Sequence, residues 1–317
     1  MPLFSYFCAR MKGETIAIGV AVLWSLNSLF FEHASKRIGS LNLNLIRLVF
    51  AFLFIGLTLW TTSGSFLPLN ADRATWAWMS LSGFVGFVLG DYFLFASYTM
   101  IMARYSQLMM TLAPLFAAIF GFILLGEEMS WLSLVGMCLT LTGIAISVLK
   151  KQNGTGNNRV HMDLPLKGIL FALIGALGQG VGIVLSKQGM IAYENVYTAD
   201  NALYIPLAAT QIRTIIGAIS FAAIILLRGG AGNFIRSIKD KKACGSAFAG
   251  SVLGPYLGVT LSLMAVQYAN TAIASTIMAT VPIMILVPEY LVLKRKVTWQ
   301  QVLGAALSVG GVTLFFI

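Results

Sequence analysis

The feature that most constrains this chain is a series of apolar segments, each about 20 residues long, that recur along its whole length. A helix of roughly 20 residues crosses a hydrocarbon core of about 30 Å. Ten such segments occur, near residues 14–34, 42–62, 76–98, 104–126, 131–149, 167–190, 207–227, 245–266, 270–293 and 299–317. Because lipid cannot satisfy an unpaired peptide group, these segments must be helices. The sequence therefore predicts an all-α membrane protein with ten transmembrane helices.

Composition supports a membrane protein. Of the 317 residues, 58% are hydrophobic and only 10% are charged, whereas soluble domains carry about a quarter charged residues. The net charge of +10 would favour nucleic-acid binding in a soluble chain, but here the basic residues lie mostly between the apolar segments. Cys8, Cys138 and Cys244 are scattered and have no metal-ligand spacing, so we expect neither a disulfide framework nor a zinc site.

Two similar corners indicate an internal duplication. The stretch "GEEMSW" (126–131) and the stretch "KRKVTW" (294–299) lie 168 positions apart and both end in a hydroxyl residue and Trp. At the same offset, Pro114 matches Pro282, and further matches at similar offsets are Ile46-Arg47 with Ile212-Arg213, Gly90 with Gly254, Tyr92 with Tyr256, Gly136 with Gly304, and Gly143 with Gly311. Each half therefore holds five spans. An odd number of spans inverts the second copy in the membrane, as in inverted-repeat transporters.

The distribution of basic residues predicts the orientation. If both termini lie outside, the cytoplasmic connections hold fifteen Lys and Arg residues and the outer side holds four, as the positive-inside rule requires. We therefore expect a multi-pass plasma-membrane (inner-membrane) protein with both termini outside. Its two repeats, 1–150 and 167–317, would be joined by a cytoplasmic linker, 151–166.

The order of several segments resembles a known family. The chain has "VLWSLNSLFFEHA" in span 1, Arg47 opening span 2, "GDYFLF" in span 3 and "LAPLFAAIFGFILLGEEMSW" in span 4. This pattern, repeated in two halves, resembles the ten-helix EamA-type members of the drug/metabolite transporter superfamily. The resemblance implies a secondary carrier without ATP hydrolysis, in which spans 1, 3, 4, 6, 8 and 9 line a central cavity and spans 5 and 10 lie at the periphery. The family handles amino acids, other small metabolites, drugs and nucleotide-linked sugars.

Asp91 is the strongest single candidate for function, because it falls near the middle of span 3. An ionised Asp at that depth costs about 2.5–3.5 kcal/mol even on the lowest scale. One interpretation is a cavity carboxylate that binds a cation or amine, or takes up a proton during coupling. The alternative is a buried structural carboxylate that is paired with Arg47 or Arg104 or hydrogen-bonded to the backbone. In the second repeat its position is occupied by Pro255.

Polar and aromatic side chains in the same spans are candidates for substrate binding. Trp24 and Asn27 lie one turn apart on one face of span 1, where they would either contact substrate or pack against another helix. The corresponding segment of the second repeat keeps Gln179 and is otherwise rich in glycine. The remaining candidates are Tyr92, Gln107, Thr111, Tyr256, Ser275 and Thr276.

Pro114 and Pro282 are candidates for gating. Each is expected to interrupt the hydrogen bonds of a span near its middle, and the resulting kinks are either symmetric hinges or static bends. Glu32 and Lys187 occupy equivalent positions in the two repeats with opposite charge, which makes a gating pair conceivable.

These observations favour a secondary transporter that exports amino acids or related small metabolites, driven by a proton gradient or by exchange. The alternative is an efflux carrier for cationic, amphiphilic drugs, for which Asp91 and the aromatic residues would supply charge and cation–π contacts. A channel or an intramembrane enzyme is more remote, because no H-E-x-x-H, G-x-S-x-G or P-loop motif occurs. We expect no enzyme activity, no cofactor, no metal and no nucleic acid, and as partners a small-molecule substrate, the lipid bilayer and, with coupling, protons. We expect the chain to act as a monomer or a homodimer.

Overall fold

The computed structural model describes residues 2–148, 165–198, 201–284 and 298–314, and every regular element within these ranges is helical. The elements of the first half are α1 (Pro2–Ile38), α2 (Ser40–Ser63), α3 (Arg73–Gly83), the π-helix π1 (Phe84–Asp91), α4 (Tyr92–Met110), α5 (Ala113–Leu125) and α6 (Trp131–Val148). Those of the second half are α7 (Leu166–Glu194), α8 (Tyr204–Leu227), α9 (Ala231–Ile238), α10 (Lys241–Ser251), the π-helix π2 (Val252–Gly258), α11 (Val259–Tyr268), α12 (Thr271–Met278), α13 (Val281–Met284) and α14 (Trp299–Thr313). The predicted all-α fold is confirmed.

Six of the apolar helical segments are long enough to cross a membrane, and four are shorter. The long ones are Lys12–Ile38, Ser40–Ser63, Arg73–Ile101, Leu166–Glu194, Tyr204–Leu227 and Lys241–Tyr268. The shorter ones are Ala113–Leu125, Trp131–Gly143, Thr271–Met284 and Val302–Val312. A helix of 13 residues extends about 20 Å, which is less than a hydrocarbon core of about 30 Å. The count of ten full spans therefore stays a prediction. Most of the predicted linker and residues 294–297 of the second corner lie outside the described residues.

Each repeat breaks its helix at the same place. In the first half α4 ends at Met110 and α5 begins at Ala113, while in the second α12 ends at Met278 and α13 begins at Val281. The proline that follows each break lies in the first turn of the new helix, where a missing N–H costs nothing. The predicted interruptions at Pro114 and Pro282 are present as complete breaks rather than as kinks within one helix.

The two π-helices and the α6–α14 contact reflect the duplication. Both π-helices occupy the middle of a long span and overlap at one position of the repeat, because π1 ends at Asp91 and π2 contains the equivalent Pro255. In the α6–α14 contact, Ser308 donates its hydroxyl to the Thr140 carbonyl oxygen (3.0 Å) and Thr140 donates to the Ser308 carbonyl oxygen (3.4 Å). Since Thr140 and Ser308 are themselves 168 positions apart, this exchange is what a two-fold relation between the repeats produces.

The first helix of each repeat packs mainly on the opposite repeat. Helix α1 lies against α10, π2 and α11, whereas α7 lies against α3, π1, α4 and α5. Glycines allow this close approach: a Cβ on Gly178 would lie 2.7 Å from the Gly90 Cα, and one on Gly258 would lie 2.5 Å from the Trp24 indole nitrogen. The residues of spans 1, 3, 6 and 8 therefore meet at one interface between the repeats.

Junctions between helices define two ends of the bundle. At the α1–α2 end, Gly39 adopts a positive φ of 78° between the two helices, and Arg37 pairs with Asp240, which caps α10. At the opposite, α2–α3 end, α2 ends at the left-handed Gly64 and Asp72 caps α3 by accepting from the Thr75 N–H. Helix α5 runs towards this same end, and the corner that follows it begins at the left-handed Gly126. Helix α11 also runs towards this end and is followed by the α11–α12 junction at Ala269.

Candidate functional site

A cavity lies between the two repeats at the interface of these helices. It is lined mainly by residues of α1, π1, α4, α7, α12 and their neighbours: Trp24, Asn27, Ser28, Phe31, Arg47, Phe87, Asp91, Leu94, Phe95, Tyr98, Gln107, Met110, Ala113, Gln179, Gly180, Ile183, Arg213, Gly254, Pro255, Val259, Ser262, Ser275, Met278, Ala279 and Val281. About 120 Å³ of it is open to the centres of water molecules, and a single water needs about 10–15 Å³. The cavity therefore has room for a small polar molecule.

Asp91 is paired in the cavity wall. Its Oδ2 lies 2.5 Å from the Arg47 guanidinium, and its Oδ1 accepts from the Gln179 side-chain amide at 2.5 Å. Arg47 also donates from Nε to the Asn44 side-chain oxygen at 2.9 Å. The structure thus shows the pairing with Arg47 that was one of the two interpretations of Asp91, and it adds Gln179 from the opposite repeat. Only 6% of Asp91 is exposed, and it still faces the cavity.

Two buried arginines flank one aromatic ring. Arg47 is 2% exposed and Arg213 is 3% exposed. The centre of the Arg213 guanidinium lies 4.5 Å from the centroid of the Phe87 ring, and that of Arg47 lies 5.5 Å from the same ring. Arg47 also lies over Phe95 at 4.9 Å. Aromatic faces attract guanidinium groups, so these rings partly replace the water that both arginines lack.

The sequence did not identify these arginines as site residues. Both lie within a few turns of predicted span ends, where long basic side chains usually reach towards the membrane surface, but both are buried in the structure. The available signal was the recurrence of Ile-Arg at 46–47 and 212–213. When an arginine recurs at equivalent positions of two apolar helices, a shared position in the interior of the protein explains the recurrence more simply than two separate anchors at the membrane surface.

Several polar groups in the cavity wall have no hydrogen-bond partner within the part of the chain that the structure describes. They are Asn27 Oδ1, Ser275 Oγ and Arg213 Nε, and all three are buried atoms. Gln107, in contrast, donates to the Tyr98 hydroxyl at 2.7 Å. Buried polar atoms are rarely left unpaired, so these three groups of the cavity wall are candidates for hydrogen bonds to a bound molecule.

The predicted binding residues divide into two groups. Trp24, Asn27, Asp91, Gln107, Gln179 and Ser275 line the cavity. Tyr92, Thr111, Tyr256 and Thr276 do not belong to its wall. Tyr256 instead contacts the Thr58 hydroxyl at 2.8 Å, and Thr276 donates to the Ala272 carbonyl oxygen in its own helix. These side chains contact a neighbouring helix or their own helix. Helical periodicity in the sequence does not distinguish such positions from positions that line a cavity.

The predicted pairing of Glu32 with Lys187 is wrong. Glu32 pairs with Lys36 one turn away on α1. Lys187 pairs with Glu127 at 2.6 Å and donates to the Ala269 carbonyl oxygen at 2.8 Å. Because the repeats are inverted, equivalent positions point to opposite ends of the bundle, and the two side chains find separate local partners.

Lys187 and Glu127 belong to a polar cluster one turn beyond the cavity. Glu127 Oε2 accepts from the Thr271 N–H at 2.9 Å and from the Thr271 hydroxyl. Lys187 is one helical turn from the cavity residue Ile183, and Thr271 is one turn from Ser275. This cluster, which we call the Lys187 cluster (Lys187, Glu127, Thr271 and the Ala269 carbonyl), joins α7 to the corner after α5 and to the start of α12. It lies on the α2–α3 side of the cavity.

Metal coordination has no candidate in the described ranges, where His, Cys, Asp and Glu form no group of three or more.

Comparison with known proteins identifies both halves with one family. Residues 11–149 and 166–317 each match the model described as "EamA-like transporter family". One solved structure, described only as "Crystal structure of protein", aligns with a TM-score of 0.67 over 97% of this chain and 95% of its own, at 15% identity; at that identity the likeness concerns the fold alone. A comparison with curated proteins gives no match.

Proposed function

Because the chain belongs to the EamA-like transporter family, it is a membrane transporter of small molecules, and we propose that it exports amino acids or related small metabolites by alternating access. The observation that carries the proposal is the cavity between the inverted repeats, with its paired Asp91 and Arg47 and its unpaired Asn27 and Ser275. Repeat interfaces are where transporters of this architecture bind substrate. Trp24, Gln107 and Gln179 complete the proposed binding residues.

A small polar substrate fits the charges of the wall better than a cationic drug. The lining includes two guanidinium groups, Arg47 and Arg213, and one carboxylate, Asp91. Asp91 already accepts from Arg47 and Gln179, so it has little capacity left to attract a cation. Aromatic rings such as Phe31 and Phe95 would suit an apolar substituent, but the excess of positive charge opposes a cationic amphiphile.

Alternating access requires that the two ends of the cavity open in turn. In our proposal the Lys187 cluster is the closure at the α2–α3 end, and it separates when that end opens. The helix breaks before Pro114 and Pro282 would allow α5 and α13 to move relative to the preceding helices, since no continuous hydrogen-bond ladder links the two parts. We place the chain in the plasma membrane with both termini outside, which makes the α2–α3 end the outer end.

Two energy sources are compatible with this site. In proton-coupled export, a proton would compete with Arg47 for Asp91 and so link protonation to the state of the cavity wall. In exchange, the Asp91–Arg47 pair would stay intact and a second substrate would drive the return step.

The proposal is tested by metabolite profiling of the medium. Cells that express the chain are compared with cells that express a Trp24→Ala, Asn27→Ala variant at equal abundance in the membrane. We expect one class of small metabolite to accumulate outside only with the parent chain, with an equal loss from inside. If the summed amount changes because the compound is chemically converted, or if the medium is the same for both proteins, export through this cavity is refuted.

A further inference from the structure

The equivalent arginines of the two repeats, Arg47 and Arg213, have different surroundings. Arg47 lies 2.5 Å from the Asp91 carboxylate, whereas no carboxylate in the described part of the chain lies within ion-pair distance of Arg213. The duplication explains the difference, because the second repeat has Pro255 where the first has Asp91. The first repeat therefore contains a counter-charge for its arginine, and the second lacks one.

Arg213 has no access to bulk water to compensate for this. It is 3% exposed, and its Nε is buried without a hydrogen-bond acceptor in the described residues. Gly83 and Gly86 allow α3 and π1 to pack directly on it: a Cβ on Gly86 would lie 2.8 Å from the Arg213 Nη2. A buried guanidinium cannot lose its proton, and an uncompensated buried charge is costly. The attraction of Asp91 extends to Arg213, but Asp91 is paired with Arg47. Two guanidinium groups and one carboxylate therefore leave the cavity wall with one excess positive charge that an anion would balance.

The other unpaired groups of the wall indicate what the rest of the ligand carries. Asn27 provides an amide oxygen, which accepts a hydrogen bond, and Ser275 provides a hydroxyl, which donates or accepts. Trp24 and Phe87 supply apolar surface. A molecule that combines an anionic group with a hydrogen-bond donor and a modest apolar part would satisfy all of these positions.

We propose that Arg213 binds the carboxylate of the transported substrate, and that the substrate is a small carboxylate with a donor group, such as a zwitterionic α-amino acid. The planar guanidinium presents two parallel N–H donors, which match the two oxygens of a carboxylate. In this arrangement the substrate takes the position that Asp91 occupies beside Arg47. This inference deepens the proposed export function and rests on it.

The test uses purified chain in liposomes loaded with a defined mixture of the common amino acids. Uptake of each labelled amino acid is measured for the parent, Arg213→Gln, Arg213→Lys, and the surface control Arg228→Gln, which alters an exposed arginine at the end of α8. For each transported amino acid, its carboxamide and its decarboxylated amine are tested as competitors. We expect the apparent affinity of the parent for the amino acid to exceed its affinity for the carboxamide by about tenfold or more. A difference of that size corresponds to the loss of one charge-assisted hydrogen bond. Arg213→Gln should abolish this preference, Arg213→Lys should retain part of it, and Arg228→Gln should leave it unchanged.

Two outcomes separate this inference from the function on which it rests. If the parent moves no compound of the mixture, the proposed export of amino acids is refuted. If the parent transports an amino acid but accepts its carboxamide or amine equally well, transport stands and the role of Arg213 is refuted. The preference of the parent alone decides the second point, so the inference stays testable even where Arg213→Gln fails to fold.

Discussion

Arg47 and Arg213 occupy equivalent positions in the two inverted repeats, but only Arg47 has a carboxylate partner among the residues that the structure describes. The duplicated scaffold thus places two buried guanidinium groups near the Phe87 ring. Arg47 is paired with Asp91, and we propose that Arg213 binds the substrate. In our proposal the symmetry of the fold serves alternating access, and the departure from symmetry at Asp91 and Pro255 leaves Arg213 available to a substrate.

The Asp91–Arg47 pair is expected to be necessary for stability. Asp91→Asn leaves Arg47 buried without its counter-charge, which costs about 3–5 kcal/mol for a buried pair. The thermal unfolding midpoint in detergent should therefore fall. Replacing both partners by apolar residues, Arg47→Met with Asp91→Leu, should recover much of the loss, because neither charge remains to be compensated. An Asp91→Asn variant as stable as the parent would contradict the pairing.

Adjacent glycines in α14 provide a test of the contact between α6 and α14. A Cβ on Gly311 would lie 2.4 Å from the Thr140 hydroxyl, whereas a Cβ on Gly310 would meet nothing within 4 Å. Gly311→Ala should destabilise the protein by about 1–3 kcal/mol through overpacking. Gly310→Ala should be neutral or stabilising, since Ala favours helix by up to about 1 kcal/mol. Equal unfolding temperatures for the two variants would refute this packing.

The sequence predicted the helix interruptions and six of the residues that line the cavity, but it did not predict the two buried arginines as site residues. The offset of 168 located the helix breaks before Pro114 and Pro282, because proline constrains the backbone wherever it occurs. Arg47 was one of two arginines that the sequence offered as a partner for Asp91. The sequence could not choose between them, because the two paired residues lie 44 positions apart and their contact depends on how α2 and π1 meet. Tyr92 was misplaced for a related reason: in a π-helix the spacing of side chains departs from the 3.6-residue period.

Weakening the Lys187 cluster should favour opening at the α2–α3 end. In a background with Cys8, Cys138 and Cys244 replaced, Ile183→Cys places a thiol on the cavity wall. Lys187→Met should increase its labelling by a membrane-impermeant thiol reagent applied from that end by roughly fivefold, as expected from losing a partly exposed ion pair.

Two further variants control this labelling experiment. Glu127→Gln removes the same ion pair from its other side and should increase labelling to a similar extent. Lys36→Met removes the Glu32–Lys36 pair on α1 and should have no effect. Fast labelling in the parent chain would show that the cluster does not close the cavity.

Asp91 can also be tested for energy coupling. If a proton competes with Arg47 for Asp91, Asp91→Asn should retain exchange of substrate across liposomes but lose the accumulation driven by a pH gradient. The assay compares both modes with one preparation, at a temperature where the variant is folded. Accumulation by the variant that follows the pH gradient would assign coupling to another residue, and a parent insensitive to the gradient would favour exchange.

The most direct measurement of the central claim is counterflow in liposomes containing the purified chain and the metabolite found by profiling. An alternating-access carrier predicts that unlabelled metabolite inside transiently accelerates the uptake of labelled metabolite, that the rate saturates with concentration, and that the compound is recovered unchanged. A flux that rises linearly with concentration and is indifferent to internal metabolite would contradict the account.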